Sequence, residues 1–303
     1  MTTLVLDHVS RWYGNVVAVN DVTMTVGPGV TGLLGPNGAG KSSVIHMMGG
    51  FLEPSTGTVL LDGEPVWCNP QVYRRIGIVP EREELYDSVT GREFVLANAR
   101  LHRLDDPVDA TRRAISIVDL EDAQDRDIRT YSKGMRQRIK MATAIVHEPD
   151  VLLLDEPFNG MDPRQRVHLM ELLRSMGEAG RTILFSSHIL EEVEQLASEI
   201  EVLVSGRHAA SGDFREIRRL MTQRPHRYTI ASSDDRALAS ALIAEPSTSS
   251  VTLADALQVE ATDFHVFAKA LPVLARRHGI RLLEVRPDDE SLESVFAYLV
   301  DRT

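Results

Sequence analysis

The chain has one cysteine, Cys68, in 303 residues. Without a second thiol it cannot close an internal disulfide, so the fold has no need of an oxidising compartment. Long hydrophobic runs are also missing. None approaches the ~18 residues of a membrane span, so a membrane role would have to come through a partner. Met1 to Ser10 has no basic leader, and Asp7 and His8 break its short apolar stretch; it does not read as a secretory signal. Basic excess is absent too. Lys and Arg number 33 against 44 Asp and Glu, a net charge of −11 that lies almost wholly in residues 1–214. Such a surface argues against broad, sequence-independent nucleic-acid binding, while leaving room for a small basic patch. There is no internal repeat and no low-complexity tract. The remaining composition, 43% hydrophobic and 25% charged, fits a globular protein and excludes disordered, collagen-like and coiled-coil chains. At roughly 150 residues per domain the length suggests about two domains.

Residues 3–9 (TLVLDHV) and 16–26 alternate or run apolar with β-branched residues and predict strands, as does 30–34 (VTGLL). Residues 35–40 predict a loop and 41–48 a helix. Further strands are predicted at 59–61, 76–79, 151–154, 182–185 and 200–204, with helices at 167–176 and 189–197. Between them the pattern turns helical: 93–104, with Phe94, Ala97 and Leu101 on one face, then 110–120, then a third helix from Ser132. Strands alternating with helices imply a mostly parallel sheet covered on both faces, interrupted by a helical block at about 90–148. Beyond about residue 214 the signals weaken to a small α/β appendage. Its strands are predicted at 227–231, 251–253, 257–260 and 281–285, and its helices at 236–244, 264–277 and 291–300. Residues 245–250 (EPSTSS) read as a loop by composition.

The sharpest chemical signal is Gly35, Pro36, Asn37, Gly38, Ala39, Gly40, Lys41 and Ser42, a G-x-x-x-x-G-K-[ST] run between a predicted strand and a predicted helix. Glycines let the backbone wrap closely enough to aim its N–H groups at phosphate oxygens, and the helix N-terminus adds partial positive charge. Lys41 can reach β- and γ-phosphates, Ser42 can ligate Mg²⁺, and Ser43 can contact the α-phosphate. The competing reading, a plain glycine-rich turn, is disfavoured by the strand–loop–helix context. The apolar strand 151–154 ends in Asp155 and Glu156, at the edge where α/β sheets place ligand-binding groups. Asp155 can hold Mg²⁺ through water and Glu156 can polarise an attacking water. Taken alone, such acids more often begin a solvated loop.

Over residues 1 to about 214 the chain resembles the nucleotide-binding subunits of ATP-binding-cassette (ABC) transporters. Tyr131-Ser-Lys-Gly-Met-Arg-Gln-Arg138 sits where that family has its signature sequence. Asn159-Gly-Met-Asp162 follows Glu156 as its D-loop does, and Ser186-Ser-His188 ends the next strand as its switch-histidine segment does. Tyr13 lies where the family stacks an aromatic ring on adenine. The resemblance implies an α/β P-loop NTPase with a RecA-like core and parallel sheet, an antiparallel N-terminal β-subdomain and an inserted helical subdomain. These would form a nucleotide-binding domain at 1–214, followed by a small α/β accessory domain at 215–303. It also implies a catalytic set of Glu156, His188 and Lys41. Nucleotide contacts would come from Tyr13, residues 35–43, Glu81, Asp155 and Asp162, with Ser132 and Gly134 facing a γ-phosphate held by the other subunit. Ser42, Glu81 and Asp155 would bind Mg²⁺. Each has a simpler rival: Tyr13 as packing, Ser132 and Gly134 as a helix N-cap, His188 as a satisfied histidine at a helix start. The departures are definite. Tyr131, Lys133 and Met135 replace the first, third and fifth residues of the consensus Leu-Ser-Gly-Gly-Gln, and Ile76-Gly-Ile-Val-Pro-Glu81 matches the Q-loop except for glutamate in place of glutamine. Both departures look like the type-2 exporter branch, in which permease and ATPase are separate chains, and Leu292-Glu-Ser-Val-Phe296 resembles that branch's ending.

The function implied is that of an ATP-hydrolysing motor subunit of an exporter using ATP and Mg²⁺. Its expected partners are a second copy, or a related cassette in a heterodimer, and a separate transmembrane permease, with no nucleic acid. It would be cytoplasmic, peripheral at the inner face of the cell membrane through the permease. Glu81, Glu83, Glu84 and Asp87 would meet basic residues of that permease or form a solvated face. Arg215, Arg218, Arg219, Arg224 and Arg227 make a basic cluster that reads as a solvated helix face or as a contact for a permease or anionic lipid. The alternative is a soluble ABC ATPase acting on ribosomes or DNA. Those relatives usually carry two cassettes or a long coiled coil, whereas this acidic chain has one phosphate loop. A small-molecule kinase would leave the signature and D-loop segments without a role.

Overall fold

The computed structural model describes residues 2–82, 85–213, 226–253 and 256–287. The chain divides into two compact units, Met1–Phe214 and Arg215–Thr303. In the first, strands β1 (Leu4–Tyr13) and β2 (Val16–Val26) pair antiparallel, and β1 also pairs with β4 (Thr56–Leu61), which pairs with the short β5 (Glu64–Pro65). Strand β3 (Gly29–Leu34) leads through the glycine-rich loop into helix α1 (Lys41–Met48). Its apolar residues Val44, Ile45, Met47 and Met48 share one core with Leu4 and Leu6 of β1 and with Leu33 of β3. It is therefore packed between two sheets.

The second sheet has the order β10-β9-β3-β8-β7-β6. It comprises β6 (Ile76–Val79), β7 (Val151–Leu154), β8 (Thr182–Ser187), β9 (Glu199–Val204) and β10 (Arg207–Gly212) together with β3. All its pairings are parallel except that of β10, an antiparallel edge strand. Strands β7 and β8 are buried along their whole length, as strands covered on both faces must be.

Further helices precede β7. The short α2 (Pro70–Tyr73) is capped by Asn69. Helix α3 (Gly91–Leu101) begins with a reciprocal capping box between Thr90 and Glu93. Asp106 caps α4 (Pro107–Ile117) and Ser132 caps α5 (Lys133–Ile145). Helices α3, α4 and α5 pack on one another as the helical block. His102, the C-cap of α3, stacks flat on His147 beyond the end of α5, with ring centroids 3.8 Å apart. Helices α6 (Pro163–Glu178) and α7 (Leu190–Leu196) complete the unit. Strand β10, β5 and α2 were not anticipated from the sequence.

The second unit runs β11 (His226–Ser232), α8 (Asp235–Leu242), β12 (Thr248–Leu253), β13 (Leu257–Ala261), α9 (Phe264–Arg277) and β14 (Leu282–Pro287). Its antiparallel sheet has the order β12-β13-β11-β14, a split βαβ arrangement. Tyr228, Ile230, Leu257 and Val259 meet Leu238, Leu242, Phe267 and Leu271 in its core. One expectation is corrected here. Thr248 to Ser250, read as loop from polar composition, belong to β12, an edge strand in which Thr248 pairs with Ala261 and Ser250 with Glu260 of β13. Arg227 lies on a strand, not a helix, 2.8 Å from Glu260. Glu83, Glu84, Arg215, Arg218, Arg219, Arg224, the helix expected at 291–300 and the segment 292–296 lie outside the described residues. Among the described residues no helix is long and apolar enough to cross a membrane.

Candidate functional site

Because β3, β6, β7 and β8 are parallel, the segments that follow them leave from one edge of the sheet. Onto that edge come the glycine-rich loop after β3, Glu81 after β6, Asp155 and Glu156 after β7, and His188 after β8. A cleft of about 380 Å³ opens there, lined by Ala18, residues 37–43, Glu81 and Glu156. The loop's shape depends on glycine. Gly40 caps α1 with φ +101°, and a Cβ there would run into the main-chain oxygen of Ala18. Neighbouring segments hold the loop: Gly35 N–H donates to Ser187 O of β8 (3.3 Å), and Gly206 N–H, in the turn between β9 and β10, donates to Ala39 O (3.0 Å).

Lys41 opens α1 and points back under the loop. Its Nζ donates to Gly35 O (2.7 Å) and Pro36 O (3.2 Å) and lies 3.4 Å from Glu156 Oε1. Both side chains are buried, at 6% and 7% exposure. The second carboxylate oxygen, Oε2, lies 3.0 Å from His188 Nδ1. Burial pushes the Glu156 carboxyl above the ordinary glutamate range, and Lys41 and then His188 oppose that rise. The Glu156 backbone is left-handed, φ +48°, and its N–H donates to Ser186 Oγ at 2.8 Å. The same hydroxyl donates to Asp155 Oδ1 at 2.6 Å. Ser186 thus joins the two acids; the sequence placed it beside His188 but gave no sign of this bridge. Asp155 Oδ2 is buried with no hydrogen-bond partner among the described residues.

Below His188, Ser187 Oγ donates to Glu192 Oε2 (2.6 Å), and Glu192 Oε1 pairs with Arg166 Nη1 of α6 (3.2 Å). Tyr13, half exposed at the end of β1, has its hydroxyl 3.5 Å from Ser43 Oγ, with the Arg11 guanidinium 4.8 Å over its ring.

The other expected residues group elsewhere. Ser132 Oγ accepts from Met135 N–H at 3.2 Å, and Asp162 Oδ1, capping α6, accepts from Gln165 N–H at 3.0 Å. The Gln165 side chain lies against Gly134, which puts the start of α5 and the start of α6 side by side. Ser132, Gly134 and Asp162 do not line the cleft that contains Lys41 and Glu156, and neither do Tyr13, Asp155 and His188, although His188 touches Glu156 and Asp155 joins it through Ser186.

This donor set suits a nucleoside triphosphate with its divalent cation. The glycine cradle leads into a helix N-terminus, a buried ammonium lies beneath it, and a buried carboxylate oxygen of Asp155 has no partner among the described residues.

The chain is similar to known proteins in sequence and in fold. The family model described as "ABC transporter" matches residues 19–159. An uncharacterised ABC transporter ATP-binding protein of Nostoc sp. is 40% identical over 209 residues, 67% of this chain and 62% of that protein. The daunorubicin/doxorubicin resistance ATP-binding protein of Streptomyces peucetius is 36% identical over 298 residues, 95% of this chain and 89% of that one. Among solved structures, an ATP-binding subunit of an ABC transporter superposes with TM-score 0.65 at 31% identity, covering 71% of this chain and 92% of that one. A bacterial ABC transporter cassette solved as a dimer has the same fold, with TM-score 0.65 at 21% identity over 70% of this chain and 99% of that one.

Proposed function

Since the chain belongs to the ABC transporter family, we propose that it is the ATP-hydrolysing subunit of an exporter, pairing with a second cassette and driving a separate membrane permease. The observation that carries this reading is Glu156, a buried carboxylate between the phosphate-loop Lys41 (3.4 Å) and His188 (3.0 Å) at the strand-end edge of the sheet.

Bound MgATP supplies the phosphoanhydride bond to be cut and a cation that spreads its charge. The rest falls to the chain. Residues 35–40 present N–H groups, Lys41 brings a positive charge beneath the loop, and Ser42, Glu81 and Asp155 would hold Mg²⁺ through their oxygens. Tyr13 offers a ring face to adenine. Glu156 orients the attacking water and accepts its proton at a carboxylate oxygen, a task that a raised pKa suits. His188 holds that carboxylate in place and offers its other ring nitrogen to the γ-phosphate. Ser132, Gly134 and Asp162 group at the adjoining starts of α5 and α6, where Gln165 joins them, which supports their serving the nucleotide of a partner. ATP would then favour the closed pair because its γ-phosphate is held from both sides only there, and hydrolysis would release it.

Residues 1–214 form the motor in this reading and 215–303 an accessory domain. The name of the Streptomyces peucetius relative supports a drug-like cargo, and the transporter names favour transport over a role on ribosomes or DNA. In this reading the chain works at the inner face of the cell membrane, docked on its permease.

The test is Glu156→Gln in the full chain. Turnover should fall by at least about 100-fold, as loss of a general base does. ATP affinity should stay within about twofold, because the cradle and Lys41 are untouched, and ATP should shift the variant to a dimer on size exclusion. Hydrolysis at the parent rate would overturn the assignment of the base.

A further inference from the structure

Lys140 plays no part in the chemistry above, yet it is one of the few buried cations, at 5% exposure. It lies on α5, eight residues beyond the cap Ser132. Its ammonium donates to three successive main-chain carbonyls: Pro80 O at 2.6 Å, Glu81 O at 3.4 Å and Arg82 O at 3.4 Å. An ammonium carries three N–H donors on a compact head, so converging carbonyls are a set that lysine satisfies and an apolar residue cannot. One turn earlier on the same helix, Arg136 Nη2 reaches Asp87 Oδ1, 2.8 Å away at the far end of the same loop. The loop's exit is held by Ile128 N–H donating to Val89 O at 2.9 Å. The carbonyls that Lys140 gathers belong to the residue that lines the phosphate-loop cleft, Glu81, and to its two neighbours. The helix that carries Lys140 begins about 12 Å away at Ser132, at 1.5 Å per residue.

We propose that Lys140 is a positioning residue that couples the cleft to the cap at Ser132 and Gly134. It fastens the Glu81 loop to α5 so that the two move as one body, and a displacement of Glu81 in the cleft is delivered to the start of the helix. The inference rests on reading the cleft as the ATP site. Fastening of α5 to the core does not need this contact, because Ile139, Met141, Ala142, Ala144 and Ile145 already bury that helix. What the ammonium adds is a hold on the loop.

The experiment uses the full chain and two readouts. Steady-state hydrolysis gives kcat and KM. Hydrogen exchange with and without ATP, in the Glu156→Gln background, gives amide protection at 35–43 and at 132–136. Lys140→Met should leave KM and the protection of 35–43 within about twofold, while kcat drops roughly tenfold and protection of 132–136 is lost. Lys140→Arg, which keeps the cation, should recover part of both. If Lys140→Met does not fold, Lys140→Gln, with two N–H donors, takes its place in the same comparison. The inference is overturned if the variant matches its parent in both readouts, or if protection at 35–43 falls together with that at 132–136, as general loosening would cause. If the parent shows no ATP-dependent protection at 35–43, the ATP reading of the cleft fails first and takes this inference with it.

Discussion

Acid should loosen the junction between the helical block and the central sheet, and His147 sets much of the size of the effect. Its Nε2 lies 3.2 Å from Ile76 O, its ring stacks on His102, and its Nδ1 is buried with no partner among the described residues. Burial first, and then the neighbouring His102, bring its pKa from 6.5 down to about 4, with Arg181 pushing the same way. His102 is lowered too, by burial and by Arg74. Neutral imidazole is therefore the native form, whereas the unfolded chain takes up this proton near pH 6.5. The associated stability is present in full above about pH 6.5 and is lost as the pH falls towards 4. Between pH 7.5 and 5.0 the unfolded state gains nearly one proton that native His147 refuses, worth about 2 kcal/mol before solvent screening and about 1–2 kcal/mol after it. His147→Gln keeps an amide that can donate to Ile76 O but cannot titrate. Thermal melts of wild type and variant at the two pH values give the difference of differences. Wild type should lose about 1–2 kcal/mol more than the variant on acidification, at roughly 2–4 °C in Tm per kcal/mol for a unit of this size. Equal acid sensitivity of the two proteins would refute the reasoning.

Two further outcomes concern the cleft itself. Gly40→Ala places a Cβ on a backbone at φ +101° and against Ala18 O, so it should cost about 2 kcal/mol or more of stability and weaken ATP binding at least about tenfold, read by melting and by fluorescent-nucleotide titration. A variant with parental values would show that the loop does not need glycine there. Tyr13→Ala should weaken ATP binding about fivefold, whereas Tyr13→Trp should retain it, because a ring face is what the adenine uses; a Trp variant as weak as Ala would remove the stacking role.

Local signals in the sequence located most of the strands and helices of the first unit. Residues 41–48 read as helix because a lysine–serine start follows a glycine-rich turn, and the structure has α1 over Lys41–Met48. The buried runs at 151–154 and 182–185 read as strands because both faces are covered. Strand β10, RHAASG, has neither alternation nor β-branched residues; its pairing with β9 makes it a strand. Thr248 to Ser250 failed for the same reason, since polar residues on an edge strand look like loop. The motifs named candidate residues one at a time. That Lys41 and His188 both lie within 3.4 Å of Glu156 follows from the strand order β3-β8-β7, in which β3 pairs with β8 more than a hundred residues further along the chain. The Ser186 bridge, the Gln165 side chain against Gly134 and the Lys140 carbonyl cluster join residues 31 to 60 positions apart, and although Ser186 and Gly134 stand inside motifs, no motif spacing specifies these partners.

The left-handed backbone of Glu156 has a consequence for how this protein can change. A side chain with a Cβ costs about 1–2 kcal/mol in that conformation, and asparagine or glycine would sit there more comfortably. A carboxylate in a dry setting adds a second penalty. Random drift toward greater robustness would therefore push this position away from glutamate, so only selection for turnover can hold it there. Thermostable descendants chosen without an activity screen should accumulate losses at this residue first.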